Sequence, residues 1–201
     1  MSPSPDVTRR SDRARTAILV ATAELIAEVG YRKLTIEAIA ARAGVGKQTI
    51  YRWWPSKGAV VFDAFLNVQA EEGGTVLPET DDLAADLARL LRETAHGLVG
   101  PRFEEPYRAL TAEIQHDRAL NRELLDRLLG PLLETTRQRI VRGQQTGQID
   151  PAIDPAIAVE LLFGPMFHRW LLRTAPVDDA YADALAEHVL RALRPPAGDA
   201  R

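Results

Sequence analysis

Apolar residues along this chain recur at intervals of three and four, with no convincing run that alternates apolar and polar, and Gly or Pro falls between the periodic segments. Such spacing gives each helix one buried stripe and offers a strand no consistent face, so the expected fold class is all-α with about nine helices. The first helix runs from about Ser11 to Val29, with Ile18, Ala21, Leu25 and Val29 on one face, Ile26 at its edge and Gly30 as the stop. Thr35 caps a short second helix through Ile36, Ile39 and Ala40 that ends at Ala43-Gly44, and after a brief turn a third covers roughly Lys47 to Trp54. Pro55 ends it, and Ser56 caps a fourth through Val60, Val61, Ala64, Phe65 and Val68. Beyond the break "EEGGTVLPETDD", Leu83 to Leu98 mark a fifth, Tyr107, Leu110 and Ile114 a sixth, and Leu124 to Ile140 a seventh interrupted at Gly130-Pro131. Asp154-Pro155 starts an eighth, and a ninth from about Asp178 carries Tyr181, Leu185, Val189 and Leu193.

Two short helices around a glycine turn make residues 35–54 a helix-turn-helix candidate. Charge points the same way. Residues 1–58 hold 10 Lys+Arg and 5 Asp+Glu, net +5, whereas the remainder is net −8. A basic small unit joined to an acidic larger one suits a polyanion partner. Cysteine is absent, which excludes disulfides, thiolate zinc sites and cysteine nucleophiles together. The first fifteen residues lack the apolar run of a signal peptide and no 18-residue apolar stretch occurs, so a cytoplasmic protein with no membrane contact is expected.

Placed on a helical wheel, "GVGKQTIYRWWPSK" separates into two faces. Ile50, Trp53 and Trp54 fall within about a third of a turn and require burial. Gln48 and Arg52 fall opposite, flanked by Lys47 and Tyr51 on one edge and Thr49 on the other. In the major groove Gln can pair with adenine and Arg with guanine, each pair discriminating by roughly 1–3 kcal/mol. Thr49 suits a thymine methyl or a phosphate. Tyr51, Lys57 in the first turn of the next helix, and the capping Thr35 suit the phosphate backbone. Trp54 is therefore expected in the core, Trp53 at its boundary and Tyr51 facing outward.

The stretch "TIEAIAARAGVGKQTIYRWWPSKGAVVFDAF", Thr35 to Phe65, with the helix before it, resembles the TetR family of bacterial transcriptional regulators. Within it, an aliphatic-Tyr pair, a terminal aromatic and a following lysine look like the family's recognition segment. The resemblance implies that Thr35, Lys47, Gln48, Thr49, Tyr51, Trp53 and Lys57 occupy DNA-contacting positions, with Tyr51, Trp53 and Lys57 chiefly on phosphates. Gly46 stands where the family often has Ser or Thr, and Trp53 where it more often has His or Tyr. A double-stranded DNA operator, a homodimer and an unidentified small-molecule effector are the partners implied, with ligand among helices four to eight moving the fourth and so the recognition helices.

From Ile157 to Leu172 only Glu160, His168 and Arg169 are charged or titratable, so the eighth helix should be buried nearly all round. One side can face the core and the other a second subunit, with the ninth helix completing a four-helix interface. Phe65, Phe103, Tyr107, Ile114, Phe163, Met166, Phe167, His168 and Trp170 are the candidates to line a site for a hydrophobic or aromatic molecule, although ordinary core explains most of them. A regulator without an effector fits the sequence as well. His96, His116, His168 and His188 are scattered, and no HExxH, phosphate-binding glycine loop or nucleophile elbow occurs, so neither an enzyme nor a metal or cofactor site is expected. The expected organisation is a mobile basic arm (1–10) that carries Arg9 and Arg10, a helix-turn-helix domain (11–58), a ligand-binding and dimerisation domain (59–195) and a disordered tail (196–201). Arg13 and Arg15 could extend the arm's contacts to DNA.

Overall fold

The computed structural model describes residues 5–71 and 79–196, with side chains from residue 11 onward in the first stretch. The first four residues of the expected arm, the side chains of Arg9 and Arg10, most of the break before the fifth helix and residues 197–201 of the tail lie outside it. The described chain is all-α: α1 (Pro5–Val29), α2 (Ile36–Ala43), α3 (Lys47–Tyr51), α4 (Lys57–Glu71), α5 (Leu83–Val99), α6 (Glu104–Glu113), α7 (Arg118–Leu124), α8 (Gly130–Gln145), α9 (Pro155–Leu172) and α10 (Asp179–Leu193). A π turn, Leu125–Leu129, joins α7 to α8 end to end, so the expected seventh helix is this composite and the expected eighth and ninth are α9 and α10.

Three boundaries and the burial of one residue differ from expectation. Helix α1 starts at Pro5 rather than Ser11, so the backbone of residues 5–10 is helical; proline suits a first turn, where no amide partner is required. At its other end Ile26 is buried at 4% exposure and Val29 lies 41% exposed, so Ile26 and not Val29 carries the buried stripe to the end of the helix. Helix α3 stops at Tyr51, since the amides of Trp53 and Trp54 both bond to the Ile50 carbonyl and Pro55 disfavours helical geometry at Trp54. Helix α7 starts at Arg118 because Asp117 caps it, its carboxylate accepting from the amides of Ala119 and Leu120 at 2.9 and 3.0 Å.

The expected interruption at Gly130-Pro131 is a widened turn instead of a break. Pro131 has no amide to donate and its ring would strike the carbonyl four residues back, a conflict that a π turn relieves. Gly130 is required there: a Cβ would lie 2.6 Å from the Leu125 carbonyl oxygen.

The helices separate into two compact units, α1 to α4 with α6 and α7, and α5 with the π turn, α8, α9 and α10. This partition differs from a single cut at residue 58, because α4 packs on α1, α6 and α7. In the first unit Ile18, Ile39, Ile50, Val60, Val61 and Leu110 are all fully buried. The second is built on α5, whose Leu83, Leu87, Leu90 and Leu91 are buried against the other helices, with α10 packed on both α5 and α9. Trp170 donates its indole N–H to the Leu98 carbonyl at 2.8 Å, which satisfies the polar atom of this buried ring.

The second unit also encloses an ion pair. Asp86 is 1% exposed and Arg139 3%. Arg139 donates through Nε to Asp86 at 2.9 Å and through a terminal nitrogen to the Thr80 carbonyl at 3.0 Å, while Thr80 gives Asp86 its amide and its hydroxyl. Burial pushes the Asp86 pKa up, but the Thr80 and Arg139 hydrogen bonds outweigh it and leave the carboxyl below its ordinary value.

Removing one member of such a pair strands the other charge, so Asp86→Asn should cost about 3–5 kcal/mol in denaturant unfolding at neutral pH. A depressed folded-state pKa means stability present in full above the unfolded pKa and lost as pH falls through the folded value. Wild-type stability should therefore decline below about pH 4, and Asp86→Asn should flatten that decline. An ordinary helical Gly→Ala change stabilises by about 0.5–1 kcal/mol. Gly130→Ala should instead destabilise by about 1–3 kcal/mol, read as a lower thermal midpoint, because the new methyl meets a backbone carbonyl.

Candidate nucleic-acid interface

Helix α2 forms because Ile36, Ile39 and Ala40 give it one buried stripe and both ends are capped. Thr35 accepts from the Ala38 amide at 3.1 Å, and Gly44 turns the chain in the left-handed conformation at φ 65°. Helix α3 follows directly. Gly46 at its N-cap supplies no side-chain hydrogen bond, so tertiary packing has to hold this five-residue helix in place. The anchors are Ile50, fully buried, and Trp54, 4% exposed.

Trp54 donates its indole N–H to Asp63 of α4 at 2.9 Å, and Arg15 of α1 donates to the same carboxylate oxygen at 2.7 Å. The Arg15 guanidinium also lies over the Trp54 ring, 5.7 Å from its centroid. Arg15 is thus part of the scaffold and not of a mobile arm. Arg13 is exposed on α1, beside a groove between α1 and the end of α2 that Val20, Glu24 and Arg42 also line.

The outward residues stand much as the wheel places them. Lys47, Gln48, Tyr51 and Arg52 are exposed, Thr49 and Trp53 are half-buried, and Thr35 is exposed while its hydroxyl caps α2. Trp53 meets Trp54 edge to face at 5.5 Å, and the Arg52 guanidinium lies over the Trp53 ring at 4.9 Å. An exposed cation–π contact contributes about 0.5–1 kcal/mol, little for stability but enough to bias where a flexible side chain points.

Two cations differ from the simple phosphate-facing picture. Lys47 pairs with Glu37 of α2 at 3.0 Å, a hydrogen bond that raises the pKa of the ammonium and lowers that of the carboxyl. Lys57 turns inward, donating to the carbonyls of Tyr31 and Leu34 at 3.1 and 3.4 Å while its ammonium lies 3.9 Å from the Tyr31 ring centroid. Tyr31 in turn donates its amide to Glu105 at 2.6 Å and its hydroxyl to Glu113 at 2.7 Å, both on α6. Burial foremost, and then the Glu113 hydrogen bond, pushes the tyrosine pKa up. Sequence spacing could not expose Glu37, Asp63, Glu105 or Glu113 as partners, because each lies at least nine residues from the group it holds.

The candidate ligand residues divide between the two units. In the first, Phe65 stacks on Tyr107 at 5.5 Å and meets Phe103 edge to face at 5.6 Å, with Ile114 half-buried at the end of α6. In the second, Phe163, Met166 and Trp170 are core, and Phe167 packs edge to face on Trp170 at 5.9 Å. His168 is exposed in the single chain. In the single chain one side of α9 is core and the other open: Ile157, Leu161, Leu171 and Leu172 are between 43% and 60% exposed, on the side that carries Gly164 and His168.

Comparison with known proteins adds independent support. Residues 18–64 match the family described as bacterial regulatory proteins, tetR family, and residues 77–189 match the tetracyclin repressor-like C-terminal domain. YdeS, an HTH-type transcriptional regulator of Bacillus subtilis (strain 168), is 29% identical over 185 residues, 92% of each chain. The crystal structure of the TetR family transcription regulator SCO0332 superposes with a TM-score of 0.71 at 31% identity, covering 90% of this chain and 99% of that one. RolR in complex with resorcinol does so at 0.64 and 25% identity, covering 96% and 93%. Among the described residues no helix is long and apolar enough to cross a membrane. Since the C-terminal match alone spans more than half of the sequence and the N-terminal match covers the capped pair α2 and α3, this chain belongs to the TetR family and is a DNA-binding transcriptional regulator, not an enzyme.

Proposed function

We propose that the chain is a cytoplasmic repressor that binds a pseudo-palindromic operator as a homodimer and is released by a small hydrophobic or aromatic molecule. The observation that carries this reading is the polar face of residues 47–52 held over Ile50 and Trp54. Gln48 and Arg52 read bases, while Lys47, Thr49, Tyr51 and Thr35 position the helix on phosphates. Lys57 fixes the α1–α2 turn through its two carbonyl bonds, and a phosphate contact would compete with them.

Support for the dimer comes from the exposed apolar side of α9, which a second copy of α9 and α10 would cover around a two-fold axis. Two recognition helices must then sit about 34–36 Å apart, or a multiple, to enter successive major grooves. Support for the effector comes from RolR, whose structure holds resorcinol, and from the aromatic cluster of Phe65, Phe103 and Tyr107. Helix α4 carries both Phe65 and Asp63, so a ligand that displaced Phe65 would pull on the carboxylate that anchors Trp54.

Selection of genome fragments by purified protein should recover a two-fold symmetric motif. The double variant Gln48→Ala, Arg52→Ala at the same salt concentration should lose it while keeping weak, sequence-independent binding; an unchanged motif would exclude these two residues as readers. Light scattering after size exclusion should give a dimer for wild type and a monomer for Leu161→Glu with Leu171→Glu. A wild-type monomer at micromolar concentration would exclude the dimer.

A further inference from the structure

We propose that Trp53 is a positioning residue for Arg52: its indole face holds the guanidinium over the reading surface, so that the pair specifies one guanine in each half-site. The inference deepens the DNA-reading role of Arg52 proposed above and rests on it.

The geometry that carries it is a continuous column. Asp63, with its side chain 10% exposed, accepts from the Trp54 indole and from Arg15. Trp54, thus fixed and buried, meets Trp53 edge to face at 78° and 5.5 Å. Trp53, half-buried, presents its ring to the Arg52 guanidinium at 4.9 Å. From Trp54 outward each side chain is less buried than the one behind it, 4% exposure at Trp54, half-burial at Trp53 and exposure at Arg52, so rigidity passes from the core of the unit to the side chain just past the reading helix.

An arginine on a free surface loses side-chain entropy when it settles on a base, and it can donate equally well to any phosphate oxygen nearby. A flat ring beneath it removes part of that freedom before binding. It also favours a guanidinium plane that can present two parallel N–H groups, the geometry guanine accepts at O6 and N7. Lysine could not use such a platform in the same way, because its ammonium is a point charge without a plane. The same stacking directs the Trp53 face toward Arg52 and away from the phosphate contact that the family resemblance implies for this position.

The test begins without DNA. In the free protein the side-chain protons of Arg52 should show upfield ring-current shifts that vanish in Trp53→Leu and persist in Trp53→Phe. Unshifted Arg52 protons in wild type would overturn the proposal, whatever the folding of the variants. With DNA, wild type should prefer guanine at one position of each half-site by roughly 5- to 150-fold, the range expected of one bidentate pair. Arg52→Ala and Trp53→Leu should each abolish the preference, their combination should be no worse than Arg52→Ala alone, and Trp53→Phe should retain it. The dependence of affinity on salt should stay the same in all of them, because no phosphate contact changes. A Trp53→Leu variant that keeps the guanine preference while weakening every sequence alike, with a shallower salt dependence, would make Trp53 a phosphate contact and overturn the inference. Recovery of a symmetric motif that Arg52→Ala leaves unaltered would overturn it too, while sparing the regulator reading; the absence of any motif in wild type would overturn both.

Discussion

Asp63 is the group on which the reading surface depends. Helix α3 has five residues and no side-chain cap, too short to be stable by its own hydrogen bonds, so its position is set by what lies beneath it. Ile50 supplies apolar burial, but burial alone does not fix rotation about the helix axis. A directional bond does: the Trp54 indole aimed at an Asp63 carboxylate that Arg15 also holds. Helices α1 and α4 and the turn that follows α3 therefore share one carboxylate, and moving any of them disturbs the orientation of the outward face.

The second unit is organised on a comparable principle at a different place. Arg139 and Asp86 are as buried as the leucines around them, and Thr80 completes their hydrogen bonding from the segment that leads into α5. A buried ion pair contributes little net stability over an apolar pair of the same size. What it does is penalise every arrangement in which the partners separate, which fixes the start of α5 against α8. The first unit has its own polar knot at Tyr31, where two α6 carboxylates and Lys57 converge on the turn between α1 and α2.

The helical architecture and the helix-turn-helix were legible because both rest on local rules. Spacing at three and four locates helices, Thr35, Asp154 and Asp178 announce starts, and Gly44 announces a stop. The direction of Gln48, Tyr51 and Trp54 followed from the angle between consecutive residues in a helix, which is the same in every protein. Spacing could not supply the neighbour that a second element brings to a side chain. Lys57, a candidate phosphate contact by position, bonds two carbonyls of the turn at Tyr31 and Leu34, and at the end of α1 Ile26 takes the buried place while Val29 stays exposed. His168 sits in an apolar stretch of sequence but on the exposed side of α9, a distinction that composition cannot make.

By itself, then, the sequence determined the fold class, the order of helices, the capped turn at Gly44 and the residue types offered to a nucleic acid, because each depends on neighbours within a few positions of chain. Only the tertiary structure decided that Arg15 and Asp63 hold Trp54, that Glu37 faces Lys47, that α6 grips Tyr31 and that Arg52 lies on the Trp53 ring. The first three join groups on different helices, and the last depends on a turn whose geometry Pro55 and the packing of Trp54 impose. Periodicity assigns a side chain to a face; which partner waits on that face is a property of the packed helices.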